Sequence, residues 1–176
     1  MCATWAVVAW LSFPDVLPWT CNCAAAVLVS RRLLSQIKQG GTFVALIVGV
    51  LLAFAVGVLA TVIGLDRDRA FYPTVTIVIA SYYALFAVMG AATNVLVYEC
   101  GVGAFFLAVA VSGFRSSLWV VVLALAAHGI FDLAHGSLIS NPGVPAWWPA
   151  FCLTYDVTAA AYLAWLLKTH RIRAAT

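Results

Sequence analysis

Between residues 42 and 167 the chain consists of apolar runs separated by short polar connections. Each run is about 20 residues long, which is enough for a helix to cross the hydrocarbon layer of a membrane. The runs are continuous and do not alternate, which argues against a transmembrane β-barrel. Only 9% of the residues are charged, whereas roughly a quarter of a soluble domain is charged. The sequence therefore predicts an all-α integral membrane helical bundle.

We predict six membrane-spanning helices, with five as the alternative, in a single transmembrane domain over residues 1–176. A further apolar run, at residues 3–30, contains Pro14, Asp15 and Pro18, so it is either one kinked span or a short interfacial helix followed by a span. The N-terminus lacks the basic region of a signal peptide, and we expect residues 1–30 to remain part of the structure. The predicted spans cover residues 3–30, 42–65, 72–91, 94–113, 117–138 and 147–167.

The basic residues lie in short connections and in the C-terminal tail, and the net charge is +3. This distribution is typical of topology determinants and not of a nucleic-acid surface, so we expect no nucleic-acid partner. The Lys and Arg residues at 66–69, 115 and 168–173 place both termini on the cytoplasmic side of a bacterial cytoplasmic membrane. The basic cluster at 31–38 argues for the opposite orientation. We expect the charges at 66–69 to pair with one another at the surface.

Small residues follow one face of the second predicted span. Gly49, Ala53 and Gly57 are spaced i, i+4, i+8, which lets another helix approach closely and permits a homodimer. The five cysteines are scattered and odd in number. We interpret them as packing residues and not as a disulfide framework.

The polar residues inside the apolar sequence concentrate near one depth. His128, Asp132 and His135 are spaced i, i+4, i+7, so they share one face of a helix. Glu99 and Asp156 lie in neighbouring predicted spans, at a similar distance from the same side of the membrane. Ionisable groups within a bilayer are costly and normally face the bundle interior or a wet cavity. We therefore predict that these five side chains form a polar pocket that opens to one side.

Three interpretations of this pocket remain open. In the first, His128, Asp132, His135 and Glu99 bind a divalent metal such as Zn²⁺, Mn²⁺ or Fe²⁺ and leave coordination positions free for catalysis. In the second, no metal is needed: a protonated carboxyl group donates a proton to an alkene or epoxide, and a neutral histidine later removes one. In the third, the cluster only locks the helices together through hydrogen bonds.

Aromatic and polar residues near the same side of the membrane are candidates for substrate contacts. The segment 141–149, NPGVPAWWP, reads as a rigid turn whose tryptophans anchor the membrane interface, or as a lid over the pocket. The candidate substrate-binding residues are Tyr82, Tyr83, Asn141, Trp147, Trp148 and Tyr155.

Four pieces of sequence carry a resemblance to a known family: YYALFAVMG at 82–90, Glu99, HGIFDLAHG at 128–136 and NPGVPAWWPAFCLTYD at 141–156. With them, the region from about 72 to 167 resembles an uncharacterised family of small bacterial integral-membrane proteins. The resemblance implies a compact helical bundle and no particular activity. In general layout the chain is also similar to small membrane-bound terpene cyclases, in which intramembrane acids protonate a prenyl chain.

We expect an intramembrane enzyme that acts on a lipid- or isoprenoid-like substrate, as a hydrolase, isomerase or cyclase. Its catalytic residues would be Glu99, His128, Asp132, His135 and Asp156, and its partners membrane lipids and a hydrophobic small molecule. The alternatives are a proton or divalent-metal transporter or channel, and a structural membrane subunit.

Overall fold

A computed structural model describes residues 40–172 of the chain. This part contains five α-helices and one short 3-10 helix, and no strand occurs within residues 40–172. The α-helices are α1 (Gly40–Ile63), α2 (Phe71–Met89), α3 (Thr93–Arg115), α4 (Leu118–Leu138) and α5 (Trp148–Lys168), and the 3-10 helix Leu65–Arg67 joins α1 to α2.

The predicted all-α membrane bundle is confirmed, because all five α-helices are long and apolar enough to cross a membrane. They match the alternative of five spans, and their ends agree to within two residues with the runs predicted from residue 42 onward. The kinked span predicted at residues 3–30 lies outside the described residues.

Local sequence explains where several helices begin and end. Ser117 precedes α4, and its hydroxyl oxygen accepts a hydrogen bond from the backbone N–H of Trp119, as an N-cap residue does. Pro149 lies in the first turn of α5, where the absence of its N–H costs nothing. Gly64 follows α1 in the left-handed conformation, with φ of 87°, which glycine adopts without strain.

Neighbouring helices pack in the order α1, α5, α4, α3, α2. The small-residue face of α1 is used within the chain, because Gly49 lies against Thr154 of α5 and Gly57 against the ring of Tyr162. The hydroxyl of Thr154 also donates a hydrogen bond of 2.9 Å to the carbonyl oxygen of Leu46. A homodimer stays a prediction, but this face is already covered by α5.

The two ends of the bundle differ in their charged residues. The basic end comprises residues 64–70, 115–117 and 169–172, and every Lys and Arg among residues 40–172 lies there or in the last turn of an adjoining helix. The neutral end comprises the turn 90–92 and the loop 139–147, which carry no acidic or basic residue.

The expected surface pairing of the charges at 66–69 is wrong for Asp66, whose exposed fraction is 3%. Its carboxylate turns inward and accepts a hydrogen bond of 2.6 Å from the hydroxyl of Thr61, which also lies 3.0 Å from the hydroxyl of Tyr162. Asp66 therefore fastens the connection after α1 to the bundle interior.

Candidate functional site

A buried histidine between two carboxylates forms the first part of the candidate site. Nδ1 of His128 on α4 lies 2.7 Å from Oδ2 of Asp156 on α5 and 3.5 Å from Oδ2 of Asp132, one helical turn along α4. All three residues have exposed fractions of 1% or less. The rings of Phe106 and Phe131 pack near the imidazole, so the polar group is enclosed by apolar walls.

A second histidine–carboxylate pair lies closer to the neutral end. Nε2 of His135 is 2.9 Å from Oε1 of Glu99 on α3, and both residues are buried. The same oxygen of Glu99 accepts a hydrogen bond of 2.8 Å from the side-chain amide of Asn141. This pair therefore joins α3 and α4 to the loop 139–147.

Tyr83 of α2 contacts both pairs. Its hydroxyl donates a hydrogen bond of 2.5 Å to Oδ1 of Asp132, and its ring stacks on the imidazole of His135 with 3.8 Å between ring centroids. Its backbone carbonyl accepts a further hydrogen bond from Asn141. The two pairs are thus parts of one buried network.

The loop 139–147 is seated tightly on the network. The side-chain oxygen of Asn141 accepts a hydrogen bond of 3.1 Å from the backbone N–H of Gly143, which directs its amide group toward Glu99. A Cβ atom on Gly143 would overlap the backbone carbonyl of Phe86 at the end of α2. Only glycine allows the loop this close approach, which places Asn141 over the site.

Within residues 40–172, three buried carboxylate oxygens of the network have no hydrogen-bond partner. They are Oδ2 of Asp132, Oδ1 of Asp156 and Oε2 of Glu99. A buried polar atom without a partner is costly and is rare in native proteins. These oxygens mark positions where a proton, a water molecule or a cation would find a partner.

One set of residues within the described part of the chain has the arrangement needed to hold a metal ion: His128, Asp132 and Asp156. At bond lengths of ~2.1 Å, two ligands of one ion are at most ~4.2 Å apart. The separations of 2.7 and 3.5 Å from Nδ1 of His128 fall within this limit, and all three ligand atoms lie within 4.8 Å of one another, so the side chains need only a small adjustment to share an ion. The 2.7 Å distance equally fits a hydrogen bond from Nδ1–H to Asp156. The geometry therefore fits either a shared cation or a shared proton.

The structure distributes the predicted metal ligands over both parts of the network. His128 and Asp132 belong to the group of three, whereas His135 and Glu99 pair with each other. Asp156, which was predicted as catalytic but not as a ligand, completes the group. All five predicted catalytic side chains are brought together in one buried network.

A partly open cavity of about 770 Å³ is lined by residues of α1, α2 and α5 and of the connection between α1 and α2. Three predicted substrate-binding residues line it, namely Tyr82, Trp148 and Tyr155, together with Cys152. Trp147 does not line the cavity, and 46% of its surface is exposed. The two remaining candidates, Tyr83 and Asn141, belong to the network instead.

Sequence reasoning missed two features that shape the site. The aromatic wall formed by Phe106 and Phe131 gave no signal beyond general apolarity. Gly143 could have been noticed, because a glycine between two prolines in a loop often marks a close backbone approach. Its contact with Phe86, however, depends on how α2 and the loop pack.

A comparison with protein-family models, curated proteins and solved structures found no match to the chain.

Proposed function

We propose that this protein is an intramembrane enzyme that uses a divalent cation, held by His128, Asp132 and Asp156, to act on a lipid- or isoprenoid-like substrate. The observation that carries the proposal is the geometry of these three buried residues. One atom of each lies within 4.8 Å of the others, and a carboxylate oxygen of each aspartate lacks a hydrogen-bond partner within residues 40–172.

Charge balance supports a cation. The network contains three carboxyl groups and two imidazoles, and the described Lys and Arg residues are all at the basic end. A divalent cation would neutralise Asp132 and Asp156 beside a neutral His128, and one proton would neutralise the pair of His135 and Glu99. Without the cation, the first group needs a second proton to avoid a net buried charge, which is expensive in a membrane interior.

The donor set suits catalysis. One imidazole and two carboxylates are ligands of Mn²⁺, Fe²⁺ and Zn²⁺, and the oxygen-rich set shifts the preference toward Mn²⁺. Three protein ligands leave coordination positions for water or substrate, and the ion would act as a Lewis acid. In this proposal His135, paired with Glu99, moves a proton, and Tyr83 holds Asp132 in place.

The cavity favours an enzyme over a transporter or channel. Tyr82, Cys152 and Tyr155 belong to its lining, and the last two of these lie on the same helix as Asp156. This arrangement supports a pocket that reaches the network from one side. A transporter would be expected to offer a polar path from both sides of the membrane.

A structural lock is the second candidate, and the extent of burial favours it. Glu99, His128, Asp132, His135 and Asp156 each have an exposed fraction of 2% or less. Their hydrogen bonds fasten four helices and a loop to one another. Such a lock needs no metal and no substrate.

We further propose that the protein lies in a bacterial cytoplasmic membrane with its basic end in the cytoplasm. The positive-inside rule supports this orientation by count. The connections and tail at the basic end carry six Lys and Arg residues, at 67, 69, 115, 168, 171 and 173, whereas three, at 31, 32 and 38, precede α1. The C-terminus is then cytoplasmic, and the predicted span at 3–30 would place the N-terminus there too. The network would lie in the outer half of the membrane.

Metal content tests the proposal. The full chain is purified in detergent after growth with Mn²⁺, Fe²⁺ and Zn²⁺, and bound metal is measured by inductively coupled plasma mass spectrometry. We expect about one divalent ion per chain in the parent and at least a tenfold loss in His128→Ala. His135→Ala is the matched control, because it removes a second buried histidine of α4 outside the group of three and should keep the metal.

Two results would contradict the metal proposal. A folded parent without metal, even after resupply, would leave the shared proton and the structural lock. A folded His128→Ala variant that retains the parent's metal would place any ion elsewhere in the chain. Gel filtration of each variant establishes that it is folded.

A further inference from the structure

The cavity between α1 and α2 is lined by residues that adjoin network residues in the sequence. Tyr82 lines the cavity, and the next residue, Tyr83, binds Asp132. On α5, Tyr155 lines the cavity and the next residue, Asp156, contacts His128. Consecutive residues of a helix point about 100° apart, so α2 and α5 each present one face to the cavity and the adjoining face to the site.

Cys152 of α5 belongs to the cavity lining and is buried, with an exposed fraction of 3%. It lies one turn before Asp156 on α5, and residues spaced i, i+4 share one face of a helix. Its side chain is small compared with those of Tyr82 and Tyr155, which also line the cavity. A ligand in the cavity would come closest to the proposed cation beside Cys152.

The lining of the cavity is suited to hydrocarbon. It runs from Leu65 and Phe71 near the basic end to Trp148 near the neutral end, and it is mostly apolar and aromatic. Since α1 and α2 both span the membrane by length and composition, an opening between them faces the hydrocarbon layer. A ligand that enters by this route diffuses in the membrane and not in water.

The volume of the cavity suits a ligand with one hydrocarbon chain. A methylene group occupies roughly the volume of a water molecule in the liquid, about 30 Å³, so a cavity of about 770 Å³ holds about 25 such groups. This suffices for one acyl chain with a small head group. The two chains and the head group of a phospholipid need about twice that space.

We propose that the cavity is the binding site for a single-chain lipid, which enters sideways between α1 and α2 and places one carbon of its chain or head group beside Cys152. The assignment of this lipid as substrate rests on the proposed function. Binding itself does not, because the cavity-lining residues are distinct from His128, Asp132 and Asp156.

Native mass spectrometry of the full chain tests the binding site, with palmitic acid as the probe and dipalmitoylphosphatidylcholine as the two-chain comparison. We expect one palmitate per chain to remain bound at collision energies that remove detergent. Val78→Trp, at the rim of the cavity, should weaken binding at least tenfold. Val97→Trp is the matched control, because Val97 is 72% exposed on α3 and does not line the cavity.

A second measurement locates the bound chain. A palmitic acid that carries a diazirine is photo-crosslinked to the protein, and the labelled peptides are identified. We expect saturable labelling of the peptides that contain Val75 and Phe151, which line the cavity. Thr74→Trp, a second variant at the cavity, should reduce this labelling as well and guards against misfolding of Val78→Trp.

The outcomes separate the two proposals. If His128→Ala loses metal and still binds one palmitate, both proposals stand. If the parent holds no metal but binds palmitate in a manner sensitive to Val78→Trp, the metal proposal fails and the lipid site stands. The lipid site is overturned by equal binding in Val78→Trp and Val97→Trp, by equal retention of the two-chain lipid, or by the absence of label from the peptides that line the cavity.

Discussion

The hydroxyl of Tyr83 donates a hydrogen bond of 2.5 Å to Oδ1 of Asp132 and so joins α2 to α4 inside the bundle. The ring of the same tyrosine stacks on His135. One side chain therefore contacts the group of three candidate ligands and the second histidine–carboxylate pair. A substitution that removes only the hydroxyl of Tyr83 would remove the hydrogen bond to Asp132 and keep the ring on His135.

The first prediction concerns Tyr83→Phe, which keeps the ring and removes the hydrogen bond to Asp132. A hydrogen bond to a charged group contributes about 1.5–3 kcal/mol, and the loss of a partner that orients a metal ligand weakens metal binding by roughly 10–100-fold. We expect the variant to fold with a lower free energy of unfolding and a metal affinity reduced within that range. Competition with a chelator measures the affinity.

Tyr82→Phe provides the control for this prediction. Tyr82 is the adjacent residue and lines the cavity, so loss of its hydroxyl should leave metal affinity unchanged. Equal metal affinities in Tyr82→Phe and Tyr83→Phe would show that the bond to Asp132 does not orient a ligand.

The depth of the polar residues could be predicted from the sequence, because the apolar runs fix where each helix crosses the membrane. The shared depth of the five ionisable side chains follows from their positions along the helices. They are Glu99, His128, Asp132, His135 and Asp156. The pairing within the network could not be predicted in the same way. It depends on how each helix is rotated about its axis, and the packing of α5 on α4 sets that rotation.

The burial of Asp66 at the basic end could not be predicted from the sequence either, because it also depends on how the helices pack. Alternating charges at 66–69 are typical of a solvated connection, and Asp68 is indeed exposed. Asp66 turns inward because Thr61 on α1 and Tyr162 on α5 offer hydroxyl groups there. Only the packing of α1 on α5 brings those hydroxyls together, and no local pattern in the sequence signals it.

The second prediction concerns Gly143, where the loop 139–147 meets the end of α2. In Gly143→Ala the added methyl group overlaps the carbonyl of Phe86, so the loop must move and Asn141 must withdraw from Glu99. We expect a loss of about 1–3 kcal/mol, the usual cost of overpacking. Thermal unfolding in detergent measures the loss.

Gly136→Ala is the matched control for the loop. No atom lies within 4 Å of a Cβ at Gly136 near the end of α4, and alanine is favoured over glycine in a helix by up to ~1 kcal/mol. We expect Gly136→Ala to be neutral or stabilising. A Gly143→Ala variant as stable as Gly136→Ala would contradict the tight seating of the loop.

The third prediction compares two acids of one connection. Asp66→Ala removes a buried carboxylate that accepts a hydrogen bond from Thr61, and the loss of a hydrogen bond to a charged group should cost about 1.5–3 kcal/mol. The hydroxyl of Thr61 keeps the carbonyl oxygen of Gly57 as an acceptor. Asp68→Ala removes an exposed hydrogen bond to the backbone N–H of Ala70 and should cost about 1 kcal/mol or less. Unfolding in mixed micelles with increasing dodecyl sulfate measures both variants. A larger loss in Asp68→Ala than in Asp66→Ala would refute the structural role of the buried acid.

The fourth prediction concerns the contact between α1 and α5. In Gly49→Val the side chain overlaps Thr154 and the backbone of Phe151, so α1 is pushed away from α5 and the cavity beside it changes shape. Gly41→Val is the control, because no atom lies within 4 Å of a Cβ at Gly41. We expect Gly49→Val to lower the unfolding midpoint and palmitate binding, and Gly41→Val to change neither.

Light scattering after gel filtration should give the same molar mass for both variants and the parent, because the face around Gly49 packs within one chain. A fall in molar mass in Gly49→Val alone would show instead that this face joins two copies of the protein.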